Sequence, residues 1–177
     1  MQFDANAFLS APTSELEKLS WYEMISRMGL SSFNWSGEKP IELIIKTLKI
    51  DASKRVLMVG CGAGGTTIYL AELTGATIFG IDIEEQVILK AQTDAQKSNA
   101  KERIQIRLGD AHHLPYEDGS FDVVITEFMA FFLKPSAFKE FFRVLRPGGC
   151  LALAELMIHE GMAGGFKNDV SIQKIFN

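Results

Sequence analysis

The sequence predicts an α/β fold: a doubly wound, mostly parallel sheet with helices on both faces. Three observations predict it. From Arg55 onward, apolar strand-like runs alternate with helical spacing; the first run collapses into a glycine cluster from which a helix restarts; and later strands end on acidic residues. Alternation of this kind buries a parallel sheet on both faces. Right-handed crossovers then bring ligands to the carboxyl ends of the strands, near the switch point.

Taken in order, Ser14-Glu15 opens an amphipathic helix (Leu16, Leu19, Trp21 or Tyr22, Ile25) that ends near Gly29. A polar, aromatic loop from Ser31 to Gly37 follows, and Pro40 introduces a second helix with apolar Ile41, Ile44, Ile45 and Leu48. Strands are expected at 55–60, 77–82, 103–108, 121–126 and 149–155, with helices at 65–74, 84–98 and 134–146. Phe138, Phe141 and Phe142 have helical spacing and are assigned to the core.

The bulk composition limits the possible functions. A chain of 177 residues, 47% hydrophobic and 23% charged, is one domain able to bury its own core. Its net charge of −4 argues against nucleic acid as a main partner, since phosphate binding favours a basic face. Two cysteines, Cys61 and Cys150, form no Cys-x-x-Cys pair and read as free thiols of a reducing compartment. Neither a secretion signal nor a run of transmembrane length is visible, so a cytoplasmic location without a membrane partner is expected. The histidines and acids form no metal-binding spacing, and no metal is expected.

Candidate binding residues cluster at strand ends. The turn Gly60-Cys61-Gly62-Ala63-Gly64-Gly65 allows a sharp bend and close approach to a ligand. The helix behind it offers free N–H groups to an anionic end. Gly60-x-Gly62-x-x-Gly65 also satisfies the dinucleotide fingerprint, so the turn does not by itself choose a cofactor. Asp82, followed by Ile83, suits ribose hydroxyls or the N-cap of the next helix. Asp110 suits an exocyclic amine, with Ala111 donating its N–H to the ring, or a turn in which it bonds its own backbone. Glu127 ends the fourth strand and suits an ammonium group, a substrate or solvent. His112-His113 reads as an exposed loop, with one of the pair lining the pocket for that ring as the alternative, and Phe128-Met129-Ala130-Phe131-Phe132 as core packing, with a wall of an acceptor pocket as the alternative.

Together these residues resemble the class I S-adenosylmethionine-dependent methyltransferases, of Rossmann-like fold. The likeness runs through Val56–Gly64, Asp82, Gly109-Asp110-Ala111, the stretch Leu114–Val124, and Arg143-Val-Leu-Arg-Pro147-Gly148-Gly149. It implies an S-adenosylmethionine site made of Gly60, Cys61, Gly62, Asp82, Ile83, Asp110, Ala111 and Glu127, and a small-molecule methyl acceptor. A general base is needed only where the attacking atom carries a proton, with Glu127 and His112 as first candidates, then His113 and His159. The family often carries an acid two places before the first glycine, where this chain has Met58. By the same resemblance, residues 1–50 form a helical lid segment, with Trp35 and Ser36-Gly37 over the site, and residues 51–177 form the cofactor domain. That domain is expected to lack the family's C-terminal strand hairpin. The edge of its fifth strand would then pair with a second copy or be covered by Phe166–Phe176. Two rival functions are a non-catalytic binding module on the same fold and a nicotinamide-dependent oxidoreductase.

Overall fold

The structure, a computed structural model, describes residues 38–155. The expected helix at 14–29, the lid residues around Trp35, His159 and the covering tail lie outside the described residues. Within them the order is α1 (Lys39–Leu48), β1 (Arg55–Val59), α2 (Gly65–Thr74), β2 (Thr77–Asp82), α3 (Glu85–Ala95), β3 (Ile104–Leu108), β4 (Phe121–Glu127), α4 (Pro135–Val144) and β5 (Leu145–Ala154). Single 3-10 turns at Lys101–Arg103 and Ala130–Phe132 complete the list of helices.

All strand pairs are parallel and the sheet order is β3-β2-β1-β4-β5. The order reverses between β1 and β4, so the crevice above their carboxyl ends is the switch point. Successive side chains of a strand face opposite ways. Val56 and Met58 therefore join one core layer with Ile41, Ile44, Leu70 and Ile88, while Leu57 and Val59 join the other with Ala137, Phe141 and Val144. Met58, at 1% exposure, is a core residue. The apolar stripe of α1 is equally part of the core, since Ile41 and Ile44 are fully buried.

Two boundaries differ from expectation by more than two residues. Helix α3 stops at Ala95, where the backbone passes into turns bonded Lys97 to Asp94 and Ser98 to Ala95. Strand β5 begins at Leu145 rather than at 149, because Arg146-Pro147-Gly148-Gly149 is a bulge inside it. Leu145 pairs with Phe121 and Cys150 with Val123, and the register shifts between them. Gly148 has φ +76°, and a Cβ on Gly149 would stand 2.9 Å from the Arg146 carbonyl oxygen. The bulge packs against the buried Asp122, which accepts the Arg55 N–H at 2.8 Å and pairs with the Arg146 guanidinium. These motif residues therefore act at the amino end of β4, away from the strand ends that carry Asp82 and Glu127.

Candidate active site

The turn after β1 is held from below. The N–H groups of Gly60 and Cys61 both donate to the Ile81 carbonyl, at 2.9 and 3.0 Å, and Gly62 N–H donates to Asp82 Oδ2 at 2.8 Å. Gly60 takes φ +71°, and a Cβ there would lie 2.5 Å from Met129 Cγ. Glycine is thus required twice, by conformation and by the approach of the loop after β4. That loop leaves the sheet at Phe128, whose φ of 54° is unusual for a residue with a side chain.

Above these strand ends lies a cavity of about 790 Å³. Gly60, Asp82, Ile83, Asp110, Ala111 and His112 line it, all named from the sequence as candidates. Cys61, Gly62 and Glu127 do not belong to its lining. The Cys61 sulfur packs instead against Gly80, 3.1 Å from where a Cβ would stand, and burial pushes its thiol far up. Gly62 contributes through its bond to Asp82.

Asp82 is 4% exposed, and of the two roles the sequence left open the structure shows the one at the start of α3. Its Oδ1 accepts Glu84 N–H at 3.1 Å, as an N-cap neighbour does, while Oδ2 holds the glycine turn. Burial raises its pKa against the lowering effect of those N–H bonds. An ionised carboxylate has about four acceptor positions, so the N–H groups of Gly62, Glu84 and Ile83 still leave capacity for a ligand hydroxyl. Asp110 likewise makes the turn bond to its own backbone: Oδ1 accepts His112 N–H at 2.8 Å. The same oxygen lies 2.7 Å from His112 Nδ1, and these contacts hold the Asp110 carboxyl below the usual range.

His112 is not an exposed loop residue. It lines the cavity, and its Nε2 accepts the Lys134 N–H at 3.2 Å. With both ring nitrogens engaged, it is not free to act as a general base. Glu127 lies close to the first turn of α2, where the Thr66 hydroxyl bonds its carboxyl. Burial, then the neighbouring Glu155 charge, pushes Glu127 up despite that bond. Its Oε1 is buried with no hydrogen-bond partner. Glu155, just beyond β5, accepts the N–H groups of Met129 and Ala130 at 3.2 and 3.0 Å and so shapes the loop.

Met129, Phe132, Leu133 and Lys134 also line the cavity. For Met129 and Phe132 this corrects the expectation of core packing; Phe132 is 67% exposed. Their apolar run was visible in the sequence, but short apolar runs do not reveal which side faces a cavity.

The sequence profile of the methyltransferase domain family matches residues 50–173, and the chain belongs to that family. Among relatives, the methyltransferase GfsG of Streptomyces halstedii is 35% identical over 125 residues, covering 70% of this chain and 45% of its own length. A putative S-adenosyl-L-methionine-dependent methyltransferase from Methanococcus maripaludis superposes with a TM-score of 0.68 at 28% identity, over 76% of this chain and 63% of that one. The [4+2]-cyclase SpnF superposes with a TM-score of 0.65 at 28% identity, over 71% of this chain and 47% of its own. The chain spans about half the length of the curated relatives it matches. No helix among the described residues is long and apolar enough to cross a membrane.

Proposed function

We propose that the chain binds S-adenosylmethionine at this cavity and directs methyl transfer to a small-molecule acceptor. One observation carries the proposal: Gly60, Asp82 and Asp110, from the ends of three successive strands, meet in one cavity at the switch point. The residues present suit the cofactor. Asp82 retains acceptor capacity for a ribose hydroxyl. Asp110 and the Ala111 N–H flank a place for adenine. Glu127 Oε1, buried and unpartnered, suits the methionyl ammonium, with Met58 committed to the core.

The cofactor, when bound, supplies a methyl group on a sulfonium whose leaving group is a neutral thioether. The chain's own part is alignment and exclusion of water. Met129, Phe132 and Leu133 present apolar surface to the cavity and suit an acceptor with an apolar portion. We assign no general base: His112 is fully engaged, and Glu127 is reserved for a cation.

Calorimetric titration tests the proposal. S-adenosylmethionine and S-adenosylhomocysteine are expected to bind more tightly than NAD; tighter NAD binding overturns it. SpnF, a structural neighbour described as a cyclase, favours one second reading, in which the same fold performs chemistry without methyl transfer. Cofactor binding with no S-adenosylhomocysteine formed across a panel of acceptors favours that second reading.

A further inference from the structure

We propose that His112 is a positioning residue, a latch that holds together the two walls of the cavity on either side of the adenine place. The inference rests on the cofactor reading above. One wall is the loop after β3, with Gly109, Asp110 and Ala111; the other is the loop after β4, with Leu133 and Lys134. His112 bonds to both. The Lys134 backbone nitrogen can only donate, so His112 Nε2 must be its acceptor, at 3.2 Å. The ring proton therefore sits on Nδ1 and is donated to Asp110 Oδ1, 2.7 Å away.

This geometry has two consequences. Asp110 Oδ1 takes two N–H groups from His112, so the carboxylate is held in one orientation before any ligand arrives. The start of α4 is also set against that carboxylate through the Lys134 amide. Pre-setting both walls lowers the ordering cost of binding. The packing of the fold does not depend on the latch, because Glu140 and Arg143 tie the later part of the same loop to α4 separately.

Lys134 permits an unusually clean test. Its φ of −77° is one that proline adopts, and its ψ of 157° already precedes Pro135. Leu133, at φ −92° and ψ 137°, has the backbone a residue before proline prefers. Lys134→Pro therefore deletes the N–H donor with little strain, and Lys134→Ala removes the same side chain while keeping the amide.

Calorimetric Kd values for S-adenosylhomocysteine are to be measured on the full chain and each variant, beside the melting temperature without ligand. Removing the bonds in His112→Leu is expected to raise Kd about tenfold over wild type, as is Lys134→Pro over Lys134→Ala, the scale of one or two net hydrogen bonds. His112→Gln, which can accept from Lys134 and donate to Asp110, is expected to recover most of the loss. Melting temperatures are expected to move little, whereas a merely structural histidine would lower them and leave Kd unchanged. If His112→Leu does not fold, the Lys134 pair carries the test. No binding by wild type overturns the cofactor reading; tight wild-type binding with Kd unchanged in the variants overturns the latch alone.

Discussion

Asp82 braces the glycine turn and the start of α3, and its substitution separates that role from the proposed ribose role. Asp82→Ala leaves the Gly62 and Glu84 N–H groups without their acceptor, and an unsatisfied buried group costs about 1–3 kcal/mol of stability. Lost bonds to a ribose would weaken cofactor binding by about 1.5–3 kcal/mol as well. Denaturant unfolding and calorimetry on one variant read both. Loss of stability alone would show a brace with no ligand role; loss of affinity alone would show that the backbone bonds contribute nothing. Glu127 gives a pH-dependent signal. Burial raises its carboxyl, so in the free protein its ionised form becomes populated only as pH rises past the ordinary carboxylate range. A bound ammonium favours the ionised form, so binding should release a proton below the raised pKa, and affinity should climb with pH through that window. Titrations in buffers of different ionisation enthalpy measure the release, which Glu127→Gln should abolish. An unchanged release in that variant would remove Glu127 from the ammonium role.

Among the elements, α4 fastens the loop that follows β3. Its Arg143 bonds Glu140 at 2.8 Å, the Tyr116 and Leu114 carbonyls at 2.8 and 2.9 Å, and Asp118 at 2.8 Å. One guanidinium fork thus fastens the loop that begins with Asp110, and a lysine, with its compact ammonium, cannot reproduce that fork. Arg143→Lys is expected to cost about 1–3 kcal/mol, allowing for partial exposure, and to speed amide exchange across residues 114–118. Exchange unchanged in that loop would show that the surrounding packing suffices. The family likeness marked Arg143 as a motif residue, but nothing local in the sequence says what it holds. Its partners stand at least 25 positions away, apart from Glu140.

In the molecule as a whole, β5 pairs with β4 and, among the described residues, with no other strand. An open apolar edge would promote pairing with another chain, but Leu151, Ala152 and Ala154 are at most 3% exposed, so this edge is covered. Sedimentation is therefore expected to show no dimer that depends on this edge, and a proline in place of Leu153 is expected to leave the oligomeric state unchanged. A concentration-dependent dimer lost in Leu153→Pro would show that the edge pairs with a second copy.

The sequence alone determined the alternation of elements, the glycine turn, and the acids at the ends of β2, β3 and β4. Each depends on spacing and turn chemistry within a dozen residues, which local backbone preference already encodes. Only the tertiary structure decided which of those residues share a cavity. It brought Met129 onto Gly60 and Lys134 onto His112, turned the Cys61 sulfur away, and set Glu127 beside Thr66. Those meetings depend on β4 crossing to lie beside β1 and on a left-handed turn at Phe128. Contacts between residues so far apart in the chain exist only once the sheet has assembled in that order.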